Sequence, residues 1–200
     1  MIRLIGRIPD KVVVAFSGGV DSVAVTDFIL NGRRDVELAF FHHGTTASDL
    51  GEAFSRRFAT DRGLRLTVGR ISRGKPPDSS PEEFWRDERY GFLSGFDRPV
   101  VTGHHLDDAV ETWVFSSLHG NPKVIPYARG NVIRPFLPTP KSELRDWATR
   151  RKLHWVEDPS NDDLRYMRNL VRQKIVPEAL KVNPGLRTTI RRKYADIPTS

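Results

Sequence analysis

Apolar residues arrive along this chain in short blocks that alternate between two spacings. Lys11 to Phe16, KVVVAF, is a β-branched run bounded by Pro9 and by Gly18–Gly19, which predicts a buried parallel strand. The next apolar positions, Val20, Val23, Ala24, Phe28 and Ile29, fall at helical spacing from about Asp21 until Asn31–Gly32 supplies a stop. The same alternation predicts a strand at 36–41 (VELAFF), a helix over 48–62 ended by Gly63, and a strand at 64–68. A helix at 81–94 opened by Ser80–Pro81, a strand at 99–103 and a helix over 107–118 follow. Such alternation predicts an α/β fold: a doubly wound parallel sheet of about five strands with helices on both faces, its ligand site at the carboxyl ends of the strands.

Two segments rich in Gly, Pro and charge, 70–80 and 120–131, read as mobile loops. A further helix is expected from Pro140 to Lys152, with Thr139 as N-cap, Pro140 in the first helical position, and Leu144, Trp147 and Ala148 on its buried face. The expected organisation is one main α/β domain over 1–155 and a short basic helical extension with a tail over 156–200, the polar final residues being disordered.

Composition narrows the function classes. The 200 residues contain no cysteine, which excludes disulfides, zinc–thiolate sites and iron–sulfur clusters. No apolar run approaches the ~20 residues that span a bilayer, and MIRLIGRIPDKVVVAF holds no apolar stretch of signal-peptide length; a cytoplasmic protein without a membrane partner is expected. The net charge of +7 is unevenly placed: residues 165–193 carry nine basic residues against one acid, Glu178. That stretch either meets a polyanion through phosphate contacts or is a solvated helix face.

The strongest chemical signal is Ser17-Gly18-Gly19-Val20-Asp21-Ser22, placed between the first strand and the first helix. Paired glycines permit a tight turn and close approach of backbone N–H groups to an anion, with two hydroxyls and a helix N-terminus adding to the same field. The loop lacks the Lys of a Walker A site and the third glycine of the dinucleotide fingerprint. Asp21 is an odd neighbour for bare phosphate, and a hydrated Mg²⁺ between them removes the conflict. The plainer alternative is a Gly-rich turn with capping Asp and Ser.

A second block, Gly103-His104-His105-Leu106-Asp107-Asp108-Ala109-Val110-Glu111-Thr112, begins where the fourth strand ends, on the same rim. Asp108, Glu111 and Thr112 share one helix face while Val110, Trp113 and Val114 pack inward. A carboxylate near the loop would help hold Mg²⁺, and one further out would bind a cationic substrate. The adjacent histidines also suit a transition metal, or they hydrogen-bond the loop while the acids cap the helix.

SGG-x-DS after a first strand resembles the signature of the PP-loop, or N-type ATP pyrophosphatase, family, whose fold is adenine nucleotide alpha hydrolase-like. GHH-x-x-D-x-x-ET, EEFWRDERYGFL (82–93), IRPFLPTPKSELRDWA (133–148) and the segment 154–180 are similar, in order, to motifs of the tRNA(Ile)-lysidine synthetase family. With the loop at 17–22 and its strand these matches cover about residues 11–180, and the chain resembles the catalytic part of that family with a stub. One departure is His42-His43-Gly44-Thr45-Thr46, where the family usually carries N-H-G-L-R.

The resemblance implies a ligase forming a C–N bond at the expense of ATP. The wobble cytidine O2 of tRNA(Ile) with a CAU anticodon attacks the α-phosphate, and the ε-amine of free L-lysine then displaces AMP at C2. It implies ATP contacts at Ser17, Gly18, Gly19, Asp21, Ser22, His43, Gly103 and His104, catalytic roles for Asp21, Asp108 and Glu111, and Mg²⁺ on Asp21 and Asp108. Arg86 and Arg89 would form a phosphate clamp, or be a solvated pair beside Glu82 and Glu83. Arg165, Arg168, Arg172 and Lys174 would contact lysine or tRNA backbone, whereas Asp158 and Asn161 shape a turn. The residues leave open a cysteine-free tRNA thiolase, an NAD synthetase-like enzyme acting on a small molecule, a non-catalytic RNA-binding relic, and whether the chain forms a homodimer.

Overall fold

The structure is a computed structural model that describes residues 1–78, 80–157, 163–195 and 197, with Pro81 and Glu82 described in backbone only. Asp158 and Asn161, with the turn expected there, lie outside the described residues, as do the final residues 198–200.

The strands β1 (Lys11–Ala15), β2 (Asp35–His42), β3 (Arg65–Arg70) and β4 (Val100–Val101) alternate with the helices α1 (Val20–Asn31), α2 (Thr46–Arg62), α3 (Pro81–Ser94) and α4 (Leu106–Leu118). Val12, Val13 and Val14 are completely buried, as a run apolar on both faces requires. Val12 and Val14 join a core with Ile29 of α1 and Phe58 of α2, while Val13 joins Leu93 of α3 and Val100 on the opposite face. Gly63 and Ser80 end and open helices where the sequence places them, whereas α2 starts two residues before the expected 48. Thr45 accepts from Ser48 N–H at the start of α2, Gly63 closes it in a left-handed conformation, and Ser80 accepts from Glu83 N–H to open α3.

The sheet runs in the order β3-β2-β1-β4-β6-β5. Beyond β4 lie β6 (Val132–Ile133), parallel to it, and β5 (Ala128–Arg129), antiparallel to β6. The segment 120–131, expected as a loop, thus contributes an edge strand. Two-residue strands give no periodicity to detect, and Gly130 makes the turn between them with φ 59°. Successive connections from β1 go first toward β3 and then, at β4, to the other side of β1. This is a topological switch point, where the loops after β1 and β4 diverge and leave a crevice.

α5 (Lys141–Arg150) packs Leu144 and Ala148, both fully buried, against α1. Pro140 rather than Thr139 is its N-cap. The Thr139 hydroxyl is engaged instead with the backbone of Arg3, accepting from its N–H and donating to its carbonyl. After Val156, whose N–H donates to Gly18 O at 2.9 Å, the chain continues into α6 (Met167–Leu170), a π-helical turn (Val171–Ile175), α7 (Val176–Val182) and α8 (Leu186–Arg192). Val171, Leu186, Ile190 and Tyr194 share a core with Leu106, Val110 and Val114 of α4, so the basic C-terminal segment is folded onto the helix that follows β4. Among the described residues no helix is long and apolar enough to cross a membrane.

Leu144→Ala empties a fully buried position between α5 and α1 and is expected to cost about 2–5 kcal/mol. Urea unfolding should show a lower midpoint with an unchanged slope; a midpoint like that of the parent chain would contradict the packing.

Candidate active site

The loops after β1 and β4 both end in helix N-termini, and the switch point brings them together. Gly18 takes φ 82°, a conformation that strains any side chain, and turns the backbone so that Gly19 becomes the N-cap of α1. The Ser22 hydroxyl donates to Gly19 O at 2.9 Å and accepts from Ser17 N–H at 3.2 Å; Gly19 N–H donates to the Ser17 hydroxyl at 3.4 Å. Gly103 lies against this turn. A Cβ on it would come within 3.4 Å of the Asp21 carbonyl carbon and the Ser22 nitrogen, so glycine is what lets the end of β4 approach the loop.

Asp21 stands where the two loops meet. Its Oδ2 is 3.5 Å from His105 Nε2 and 3.7 Å from Lys141 Nζ, whereas Oδ1 is buried without a hydrogen-bond partner. His105 also caps α4: its N–H donates to Asp108 Oδ2 at 3.0 Å and its Nδ1 accepts from Asp108 N–H at 3.3 Å. Lys141 extends the same array, because its backbone N–H donates to Asp107 Oδ2 at 2.8 Å and ties the start of α5 to the start of α4. Its presence in the site was not foreseen from the sequence. The signal available was its place in PTPKSEL, one of the segments the resemblance singled out.

Basic side chains arrive from the C-terminal segment. Arg172, on the π-helical turn, donates to Glu111 Oε2 at 2.8 Å and lies 3.8 Å from Asp108; Arg168 lies 3.8 Å from Glu111. A cavity of about 490 Å³ is lined by Ser17, Gly19, Asp21, Ser22, His43, Gly103, His104 and Asp108 together with Arg89, Lys141, Arg168 and Arg172. Gly18 shapes the turn, and Glu111 stands behind Arg172, outside the lining. Arg86 is exposed and lines an adjoining cavity. Arg165 is not brought in: it pairs with Asp163 at 2.8 Å on the surface, and Lys174 is exposed.

The charges are strongly tuned. Burial opposes ionisation of Asp108, but His105, His104 and Arg172 outweigh it and hold its carboxyl below the ordinary aspartate value. Burial prevails at Glu111, 3% exposed, and raises its pKa despite Arg172 and Arg168. Among the described residues no three His, Asp or Glu side chains converge on a point that would hold a metal, so the transition-metal alternative finds no protein ligand set there. A Mg²⁺ ion asks less of the protein, one or two carboxylates with phosphate oxygens and water completing its shell. Asp21, with its unpartnered oxygen, and Asp108 fit that requirement.

The two adjacent histidines diverge. Burial is the main cause that lowers His104 from 6.5 to about 4, with Arg89 and Arg134 adding to it against Asp108. For His105 burial is outweighed by Asp108 and Asp21, and its pKa is raised. A proton on His104 therefore favours the unfolded chain, so its contribution to stability is complete above pH 6.5 and is lost as pH falls toward about 4. His105 contributes in the opposite sense, fully below 6.5 and vanishing as pH rises through its raised pKa. NMR titration should place the His104 midpoint near 4 and that of His105 above 6.5, and His104→Gln should flatten the acid side of the stability profile between 6.5 and 4; coincident midpoints would contradict this.

Comparison with known proteins agrees with this architecture. Residues 5–179 match the family model described as the PP-loop domain. The tRNA(Ile)-lysidine synthase of Vibrio parahaemolyticus is 33% identical over 198 residues, covering 91% of this chain and 45% of that protein. The protein of the same name from Methylococcus capsulatus is 34% identical over 197 residues, covering 90% of this chain and 44% of its own length. The chain thus spans less than half the length of these curated relatives. Among solved structures, the NH3-dependent NAD synthetase of Campylobacter jejuni superposes with a TM-score of 0.52 at 15% identity, over 96% of this chain and 90% of that one, a likeness of fold. With the signature loop at the switch point and a family match over nearly the whole chain, this protein belongs to the PP-loop domain family.

Proposed function

We propose that this chain is an ATP-dependent ligase that modifies tRNA, adenylating the wobble cytidine of tRNA(Ile) and replacing AMP by L-lysine to form lysidine. The observation that carries the reading is that the signature loop, Asp21 with its bare buried oxygen, Asp108, Arg168 and Arg172 line one switch-point crevice, with the buried Glu111 paired to Arg172 behind it. The names of the relatives supply the substrate class.

In this scheme the N–H groups and hydroxyls of Ser17 to Ser22 hold the β- and γ-phosphates, with His43, Gly103 and His104 completing the nucleotide site. Mg²⁺ held by Asp21 and Asp108 would neutralise charge on the polyphosphate when bound. The cytidine O2 forms a bond to the α-phosphorus as the bond to the β-phosphate oxygen breaks, releasing pyrophosphate. The lysine ε-amine then bonds to C2 and the C2–O bond breaks, releasing AMP. The amine attacks only after losing its ammonium proton. Glu111, whose pKa is raised by burial, and Asp108 would orient the ammonium and accept that proton. The lysine ammonium would compete with Arg172 for these carboxylates. Arg86, Arg89, Arg165, Arg168, Arg172 and Lys174 would serve tRNA or lysine, residues 1–155 acting as the catalytic unit and 156–200 as its basic extension.

Pyrophosphate release from ATP, with Mg²⁺ and lysine, is expected only when an unmodified tRNA whose anticodon begins with cytidine is present. Asp21→Ala should reduce that release by about 10²–10³-fold or more with an unchanged circular-dichroism spectrum. Release at the parent rate by the variant would refute the role of the loop, and release independent of tRNA would point to adenylation of a small molecule.

A further inference from the structure

Beside the nucleotide crevice lies a second cavity of about 480 Å³, whose lining residues Arg129 and Arg134 have no role in the scheme above. It shares Arg89, Tyr90, His104 and Arg168 with the first cavity and extends away from the signature loop toward Lys123, Ile125 and the β5 strand. Among the described residues its lining contains no acidic side chain.

Its centre is Arg134, 2% exposed. This guanidinium donates to Tyr90 Oη at 2.7 Å and to Pro126 O at 2.9 Å, while its Nε is buried without a partner. The guanidiniums of Arg89, Arg129 and Arg134 lie 5.6, 5.0 and 5.8 Å from the centre of the Tyr90 ring, and among the described residues none of the three has a carboxylate partner. Burying a cation without a counterion is costly, and three gathered around one phenol repel one another. Burial lowers the Arg89 pKa, with the fields of Arg168, Arg86 and Arg134 adding to it against that of Tyr90. Negative charge supplied from outside would stabilise the arrangement, and the planar guanidiniums of three residues that line one cavity match the oxygens of a phosphate group. The cavity is large enough for a group of nucleotide size.

We propose that this second cavity binds a phosphate group distinct from those of ATP, held by Arg89, Arg129 and Arg134. The group comes either from the phosphodiester chain of a bound RNA or from free phosphate or pyrophosphate. The RNA source rests on the tRNA-modifying reading; the anion site does not. With RNA as the source, the cavity anchors the strand beside the nucleotide that enters the first crevice.

The test uses the full chain and the exposed Arg129, with Arg57→Glu on α2 as a control for net charge. A fluorescent single-stranded oligoribonucleotide reports on RNA, and calorimetry with inorganic pyrophosphate reports on the free anion. Arg129→Glu should weaken RNA binding at least tenfold and lower its salt slope by about one, while ATP affinity and the behaviour of Arg57→Glu stay at the parent values. Loss of pyrophosphate binding alone would assign the site to a free anion. Equal weakening by both variants, insensitivity of RNA and pyrophosphate to Arg129→Glu, or binding of neither by the parent chain would overturn the proposal. RNA and pyrophosphate binding that both ignore Arg129 sink this site and leave the tRNA reading standing; pyrophosphate binding that depends on Arg129, without any tRNA-dependent turnover, does the reverse.

Discussion

A buried imidazole joins the two halves of the site. His105 faces Asp21 at the start of α1 through Nε2 and Asp108 at the start of α4 through Nδ1, so one side chain fixes the separation of two helix N-termini. Both helices carry acids in the first turn, where the helix dipole favours them, and an unbridged pair of such acids would repel across the crevice. The raised pKa of His105 is the electrostatic expression of that bridge. Lys141 adds a second cation to Asp21 and, through its N–H, locks α5 to the same point.

The rest of the molecule can be understood as support for that junction. The valines of β1 bury both faces of the central strand and hold the signature loop at its end. The C-terminal helices, anchored by Val171, Leu186 and Ile190 on α4, deliver Arg168 and Arg172 to the carboxylates of the same helix. The site therefore divides electrostatically. Acids cluster near the signature loop, and arginines without a carboxylate partner among the described residues gather around Tyr90, a polarity suited to a ligand that carries phosphate at one end and meets carboxylates at the other.

Much of this was legible in the chain itself. Strand and helix alternation was strong because β1 and β2 are apolar runs and two helices carry clear end signals, Ser80–Pro81 and Gly63; the Thr45 cap, which starts α2 two residues before the expected 48, was not read. The loop at 17–22 announced its position between strand and helix. What stayed hidden was either too short or too remote in sequence. The β5–β6 hairpin offers two residues a strand, the Thr139 hydroxyl is drawn away by Arg3, and Lys141 and Arg134 acquire their roles only when α5 and β6 are brought beside α4 and α3. The basic tail looked like a solvated face or an RNA contact; folding turns Arg172 inward onto Glu111 and leaves Arg165 on Asp163, a division that linear charge density does not encode.

The central claim is that the crevice at the β1–β4 switch point couples ATP cleavage to attachment of lysine on RNA. It is tested most directly by mass spectrometry of a tRNA with a CAU anticodon after incubation with the chain, ATP, Mg²⁺ and lysine. The account predicts an anticodon cytidine heavier by one lysine less one water, with AMP and pyrophosphate formed in equal amounts. An unaltered tRNA alongside ATP turnover would contradict it.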